Sequence, residues 1–477
     1  MPLKIYNTLT KQKDEFQPLD PPNVKMYVCG ITPYDETHLG HARAYVTFDV
    51  IRRYLEELGY RVEYVQNITD VDDKLIKKSQ ESGETVESIA AHFTDSYKSV
   101  MKKLNILDPT QYVKATDHIQ EMVKWVKRLI DKGFAYEIEG DVYYSVEKFR
   151  EYGKLSKRKI EDMVSGARVA VDERKKNPLD FALWKTAKEG EPAWGSPWGK
   201  GRPGWHIECS VMSTKYLGEQ FDIHGGGLDL VFPHHENEIA QTEAVTGRSP
   251  WVKYWVHNGF VNVNKQKMSK SLGNFFTLKD IFKQFEPMAV RLFILQTHYR
   301  GPIDFSDQEL EKSNTAYGNL CNFVDNVNSI LEIGSKDIPR VRAHFDDEVK
   351  GKLENFEKRF REEMDDDFNT AAALAVVFKV ISFFYSSLKE KQIDLVDVKK
   401  IKEMVSGFSA ILGINVRETK LDDESKRLVL DLDRARSNKD FATADQTRLA
   451  LEKMGYKVKN TKAGTVLTRA AAWLPKL

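Results

Sequence analysis

The sequence predicts an α/β protein: a parallel sheet split by an insertion, then an α-helical bundle and a small α+β module. Three observations carry that expectation. Between Val24 and Asp70 an apolar run, a loop, a helical period and an alternating stretch follow one another in the order β, α, β. A strand running into glycines, "QFDIHGGGLDL", and a helical pattern, "HHENEIAQTEAVTG", return only after residue 204. Beyond Gln308 apolar residues recur at helical spacing through Leu310, Ala316, Leu320, Val324, Val327 and Leu331.

In order along the chain, Val24 to Val28 reads as a short buried strand whose end carries Cys29, and a Gly- and Pro-bearing loop follows it to His38. Val46, Val50, Tyr54 and Leu58 then fall four apart, with Ile51 and Leu55 alongside, and Gly59 stands where a left-handed helix end is expected. "YRVEYVQNITD" alternates as the next strand. Such a βαβ unit implies a parallel, Rossmann-like sheet with the Cys29–His38 loop at its carboxyl edge, where open α/β sheets bind ligands. Residues 1–114 are expected to form the first half of this domain. Residues 115–203, charged and Trp-bearing, with a helix near "IQEMVKWVKRLIDKG" and a hairpin at "FAYEIEGDVYYS", read as a connective insertion. Residues 204–307 supply the second half, a lysine-rich loop and a stem region. The bundle occupies 308–418, with Asn369 placed to cap the apolar helix "TAAALAVVFKVISFFYSSL". The last module, 419–477, reads as a helical hairpin and a β-hairpin turning at Lys462-Ala463-Gly464.

A chain of 477 residues has room for roughly two to four domains with cores of their own. Three widely spaced cysteines, an odd number, argue against a disulfide framework and for a reducing, cytoplasmic setting. The N-terminus lacks a signal-peptide core, and no uninterrupted apolar run of about 18 residues is present, so no membrane partner is expected. A formal charge of +1 sets up no global field, which leaves any nucleic acid to local basic patches.

His234 and Glu238, four apart on an expected helix, share one face and can share an ion, although such a pair is more often a surface pair. Cys29 and Cys209, both in the α/β portion, would complete a four-donor set suited to Zn²⁺. Cys321 lies in the apolar stripe of the bundle and reads as a small buried hydrophobe.

His38 and His41 flank Gly40 where a helix begins, and free backbone N–H groups there favour phosphate; an ordinary helix entry is the alternative. "KQKMSKSLGN" supplies Lys267 and Lys270 on a loop whose ammonium groups can follow charge on a transferring phosphoryl or adenylyl group. "HGGGLDL" permits close backbone approach to a base or ribose, with Asp229 able to accept from ribose hydroxyls. There is no P-loop and no dinucleotide fingerprint, so ATP would be held in another way.

Together these pieces resemble the class I aminoacyl-tRNA synthetases. His38-Leu39-Gly40-His41 resembles the HIGH signature and Lys267-Met268-Ser269-Lys270-Ser271 the KMSKS signature, with Leu39 the one apolar departure. More narrowly, "YVCGITPYDETHLGHAR", "GRPGWHIECS", "HGGGLDLVFPHHENE", "MDDDFNTAAALAV" and "KDFATADQTR" are similar to the cysteinyl-tRNA synthetases over essentially the whole chain. The resemblance implies Zn²⁺ on Cys29, Cys209, His234 and Glu238. It implies ATP and the adenylation transition state at His38, Gly40, His41, Lys267 and Lys270, with Gly227 and Asp229 facing adenosine and Mg²⁺ accompanying the nucleotide. Thr69 and Trp205, with Cys29, would surround the amino acid. The implied activity is ATP-dependent ligation of L-cysteine to tRNA(Cys) through a cysteinyl-adenylate by a cytoplasmic monomer, the bundle and last module gripping tRNA. A cysteine ligase acting on a small amine and a non-catalytic RNA-binding paralogue are the alternatives.

Overall fold

The computed structural model describes residues 2–159, 174–263, 266–267, 276–333, 347–390, 393–419, 421–461 and 464–469. In chain order the strands are β1 (Lys4–Asn7), β2 (Gln12–Glu15), β3 (Asn23–Ile31), β4 (Arg61–Ile68), β5 (Gln111–Lys114), β6 (Ala135–Ile138), β7 (Asp141–Tyr144), β8 (Phe181–Thr186), β9 (Trp194–Ser196), β10 (Gly199–Pro203), β11 (Phe221–Gly227), β12 (Val252–Asn258), β13 (Val261–Val263), β14 (Gln266–Lys267), β15 (Ile303–Phe305), β16 (Tyr456–Thr461) and β17 (Gly464–Arg469). The helices, counted among the described residues, are α1 (Leu39–Glu57), α2 (Asp73–Ser82), α3 (Val86–Lys103), α4 (Ile119–Asp131), α5 (Trp205–Leu217), α6 (Glu236–Thr246), α7 (Leu278–Ile281), α8 (Pro287–Leu295), α9 (Asp307–Ile333), α10 (Asp347–Asp365), α11 (Thr370–Lys389), α12 (Leu395–Ile411), α13 (Asp423–Ser437) and α14 (Phe441–Lys453).

The βαβ reading becomes β3-α1-β4. Val24, Met26, Tyr27 and Val28 are fully buried, and α1 ends with Gly59 at φ +89, the left-handed position that only glycine adopts cheaply. The parallel sheet has the order β12-β11-β3-β4-β5. The chain builds outward from β3 on one side and returns to its other side with β11. That reversal places a topological switch point between β3 and β11, and a crevice outside their carboxyl ends. β3 extends past Cys29 to Ile31, with its register against β4 shifting between Val28 and Ile31, so the strand does not stop at the cysteine as its sequence suggests. The short, polar β1–β2 hairpin carries too little periodicity to be read beforehand.

The stretch 115–203 supplies α4 and the antiparallel sheet β6-β7-β8-β10-β9. Among the described residues it shares its core with the parallel-sheet portion. Trp125, Val126, Leu129, Tyr144, Leu183 and Trp184 share one buried cluster with Tyr27, Ile207, Trp251 and Trp255 of the parallel-sheet portion. Burial of that much aromatic surface makes the two parts a single folding unit.

The chain divides into two compact bodies, one made of Pro2–Lys279 and Tyr299–Asp304, the other of Asp280–His298 and Phe305–Leu477. In the second, Asn369 caps α11 by accepting from the Ala372 N–H at 3.2 Å, as its sequence position predicts. α11 is long and apolar enough to cross a membrane by composition alone, with a mean hydropathy of 1.8 over its best window. Its Ala373, Val377, Val380 and Phe384 are instead buried in the bundle, where Phe360 of α10 also stacks on Phe408 of α12 at 3.9 Å. The last module joins α13, α14 and the β16–β17 hairpin around Val429, Leu432, Leu451 and Leu467. Its expected turn at Lys462-Ala463 lies outside the described residues; Thr461 pairs with Gly464 across it.

Candidate active site and metal centre

The crevice at the switch point is a cleft of about 350 Å³ lined by Cys29, Gly30, Ile31, the 32–36 loop, His38, Gly40, His41, Trp205, Gly226, Gly227, Asp229 and Asn258–Val261. At its floor Gly30 lies so close to β4 that a Cβ would fall 1.6 Å from the Asn67 carbonyl oxygen, so glycine is obligatory there.

At one end, α1 opens on a capping box built from two imidazoles. His38 Nδ1 accepts from the Gly40 N–H at 3.1 Å, and His41 Nδ1 accepts from the His38 N–H at 3.3 Å. The rings stack at 3.7 Å. These bonds assign the neutral tautomer with the proton on Nε2, a donor suited to phosphate oxygens beside a helix N-terminus. The loop before His38 is pinned to the segment after the lysine-rich loop: the Leu278 N–H donates to the Thr37 carbonyl at 2.9 Å, and Glu36 pairs with Lys279 at 2.5 Å. Lys267 ends β14, opposite Asn262 of β13. Lys270 lies outside the described residues.

At the other end, chain segments far apart in sequence converge. Cys29 comes from β3, Cys209 from α5, His234 from the turn before α6 and Glu238 from the first turn of α6. Their donor atoms all lie within 4.8 Å of one another and all four residues are buried. Cys29 Sγ is 3.9 Å from Cys209 Sγ, and His234 Nε2 is 2.9 Å from Glu238 Oε1. Burial raises the Cys29 thiol. Burial also opposes ionisation of Cys209, but hydrogen bonding to Cys29 and to His234 brings its thiol down to about 6. Glu238 is held near 2 despite burial, through His224 and His234, while Glu238 and Cys209 lift His234 to about 10. With no ion present the His234 imidazolium balances the thiolate and the carboxylate, and loss of its proton would leave all four groups as donors for a cation. Two sulfurs, one imidazole and one carboxylate at this spacing fit a tetrahedral, borderline-soft ion of the zinc type.

Sequence reading left the surrounding histidines unassigned. His224 Nε2 meets Glu238 Oε2 at 2.8 Å, and His206 Nδ1 meets His234 Nδ1 at 2.8 Å. His235 Nε2 lies 3.2 Å from Cys29 Sγ, its Nδ1 meets His257 Nε2 at 2.8 Å, and His257 Nδ1 meets Thr8 Oγ1 at 2.7 Å. Cys29, His224, His235 and Glu238 thus form a second, overlapping donor set. The His234-His235 doublet beside the ligand pair was the available signal.

The remaining expected residues separate. Trp205, the first residue of α5, is 42% exposed, lines the cleft and stacks on His234 at 4.2 Å. Thr69 is only 3% exposed and sits behind the wall, donating to Glu208 Oε2 at 2.9 Å. Of the glycine triplet, Gly226 and Gly227 line the cleft with Asp229, whereas Gly225 makes room for the protein's own Phe48 ring, 2.2 Å from where a Cβ would stand. The triplet therefore serves packing as well as ligand approach, a division its sequence does not reveal.

A family model described as the tRNA synthetases class I (C) catalytic domain matches residues 15–315, and one described as the DALR domain matches residues 359–417. The chain is 48% identical to a cysteine–tRNA ligase of Syntrophotalea carbinolica, with 98% of this chain and 99% of that protein aligned. Identity is 47% to the Geobacter sulfurreducens enzyme of that name and 48% to that of Thermococcus gammatolerans, each over 98% of this chain and 99% of the relative. In fold it is similar to a Mycobacterium tuberculosis methionyl-tRNA synthetase in complex with methionyl-adenylate, with a TM-score of 0.59 at 15% identity over 88% of this chain and 96% of that one. A leucyl enzyme of Agrobacterium radiobacter K84, in a ternary complex, gives 0.59 at 12% identity over 83% and 85%. With a class I catalytic-domain match over more than half its length and nearly half its residues shared with these ligases, the chain belongs to the cysteine–tRNA ligases and is a class I aminoacyl-tRNA synthetase.

Proposed function

We propose that the cleft joins L-cysteine to ATP as cysteinyl-adenylate with release of pyrophosphate, and then passes the cysteinyl group to the 3′-terminal adenosine of tRNA(Cys). The observation that carries this reading is the cleft itself, with a sulfur-rich cation site at one end of the Cys29–His41 segment and a helix N-terminus bearing two Nε2 donors at the other. The substrate carboxylate is the nucleophile, so the protein's work is positioning and charge stabilisation around the α-phosphate. His38 and His41 donate to its oxygens, and Lys267 and Lys270 follow the charge as it moves onto pyrophosphate, with Mg²⁺ accompanying the nucleotide. Gly227 and Asp229 lie on the wall suited to adenosine.

Cys29, Cys209, His234 and Glu238 would hold zinc. Bound there, zinc would supply a borderline-soft Lewis acid for the substrate thiolate, taken as an additional ligand or in place of one of the four, a bond that serine's hydroxyl cannot match, where an apolar pocket would distinguish the two by only about 1–3 kcal/mol. Trp205, on the cleft wall, stacks on His234 and offers an apolar face beside this end.

The DALR match and the body that follows the catalytic portion favour tRNA over a small amine as acceptor. The protein acts in the cytoplasm as a monomer. The test is cysteine-dependent ATP–pyrophosphate exchange, followed by transfer of labelled cysteine to unfractionated tRNA or to small amines. Exchange with charging of tRNA alone supports the reading, and transfer only to an amine overturns the acceptor.

A further inference from the structure

Among the described residues that line the cleft, Lys74 is the only lysine or arginine. It stands in the first turn of α2, is exposed, and carries its ammonium 5.2 Å from the centre of the Tyr34 ring, which lines the cleft as well. The acidic residues closest to it in the chain and beside Tyr34 are engaged elsewhere. Asp72 caps α2 by accepting from the Lys74 backbone N–H at 2.9 Å, Asp73 pairs with Lys185 at 3.0 Å and with Arg202, and Glu36 accepts from Ser96 at 2.7 Å and pairs with Lys279. Among the described residues no carboxylate pairs with the Lys74 ammonium.

The sheet order sets this cation apart from the nucleotide wall. Gly226, Gly227 and Asp229 stand at the end of β11 and Asn258–Val261 at the end of β12, on one side of β3, whereas α2 follows β4 on the other. The ion pair of Asp73 with Arg202, three residues before Trp205, ties the start of α2 to the strand that leads into that indole. With phosphates at the start of α1, adenosine on the β11–β12 side and the substrate sulfur at the buried cluster, the wall bearing Tyr34, Lys74 and Trp205 is the one left. A cation without a partner beside aromatic rings is a footing for single-stranded nucleic acid.

We propose that Lys74, steadied on the Tyr34 ring, binds a phosphodiester near the 3′ end of tRNA and so seats the terminal adenosine for the transfer step. The proposal rests on the reading that this cleft charges tRNA, and it adds a residue used by the second half-reaction only. In that step a ribose hydroxyl forms the ester bond to the cysteinyl carbonyl carbon while the bond from that carbon to AMP breaks, the hydroxyl proton leaving with AMP. Lys74 takes no proton in it and supplies one charge-assisted bond to the backbone of the incoming strand.

The experiment separates the two half-reactions: cysteine-dependent ATP–pyrophosphate exchange, which needs no tRNA, and single-turnover transfer of labelled cysteine from the enzyme-bound adenylate to unfractionated tRNA. For Lys74→Met, transfer at subsaturating tRNA slows about tenfold, the loss expected for one hydrogen bond between charged groups, while the kcat and both KM values of exchange stay within about twofold. The log–log dependence of the transfer rate on salt becomes shallower by about 0.7, as one single-strand phosphate contact is lost. Lys74→Arg restores transfer, and Lys74→Glu slows it beyond Lys74→Met. Because Lys74 is exposed and in no ion pair, these replacements leave the fold intact, which equal melting temperatures check. A KM for cysteine or ATP that rises in step with the loss of transfer would give the ammonium to the amino-acid carboxylate or to the nucleotide and overturn the proposal, as would undiminished transfer in Lys74→Met. Exchange with no transfer to tRNA in the unaltered protein would instead overturn the reading on which it rests.

Discussion

The two ends of the Cys29–His41 segment are built on opposite plans. The proposed phosphate end is local: His38 and His41 belong to one turn of one helix, accept from the Gly40 and His38 backbone N–H groups and stand half-buried at the rim. The proposed metal end is assembled from β3, α5, the turn before α6 and α6 itself, and all four candidate donors are buried. The contrast teaches where recognition energy is placed. Desolvated charged groups held by a folded shell discriminate strongly and tolerate little change, whereas rim donors on a helix end stabilise charge without deciding which amino acid binds.

The largest effect should come from the buried end. Cys209→Ser is expected to lose zinc and to depress cysteine activation beyond the roughly 10–100-fold that changes in a metal's outer shell cost. Metal analysis and pyrophosphate exchange on the same preparation check this, and retained zinc with normal activation would remove Cys209 from the ligand set. At the other end, His38→Ala should slow adenylate formation by about 10²–10³ while leaving zinc and cysteine binding in place. A loss of cysteine affinity equal to the loss of rate would erase the division between the ends. Lys270→Ala belongs with it, slowing exchange at near-normal cysteine binding.

A pH series sharpens the same comparison. A thiol must lose its proton to bind metal. Cys209, held at about 6, is already ionised at neutral pH, and Cys29, raised by burial, surrenders its proton on binding. His234, lifted to about 10, must also give up its proton, so zinc affinity should rise with pH through the neutral range and fall further below about 6 as Cys209 becomes protonated, which chelator competition at several pH values reads directly. An affinity flat with pH would mean that no protonated thiol or imidazolium of this cluster gives way to the metal, against the proposed ligand set. The smallest effect is expected of Leu39→Ile. Leu39 is fully buried between the two histidines, and a volume-conserving swap costs less than about 1.5 kcal/mol, so exchange should stay within about twofold.

The contrast also explains what could be read from the chain alone. The phosphate end was legible because its residues are neighbours and its geometry is that of any helix start. The four candidate metal donors were legible as types, two cysteines with an i,i+4 histidine and glutamate, yet their convergence depends on the sheet order around β3. His206, His224, His235 and His257 were not legible, since a histidine's partners are set by tertiary packing. Asn67 and Glu208 likewise hold Thr69 from different elements, and nothing periodic marks them. The stretch 115–203 reads as an insertion because it interrupts a βα pattern, but its tryptophans are spent on a core shared with the parallel-sheet portion, a fact carried by contacts and not by spacing. Gly225 looks like a ligand-facing glycine until Phe48 is seen filling its place.

The account stands or falls on whether the buried cluster takes the substrate's sulfur. Loading the protein with Co²⁺ in place of zinc makes that bond visible, because each thiolate on the ion contributes a sulfur-to-metal charge-transfer absorption. Addition of L-cysteine should increase that absorption and addition of L-serine should leave it unchanged. An equal response to both amino acids, or none to cysteine under conditions where pyrophosphate exchange proceeds, would contradict the assignment.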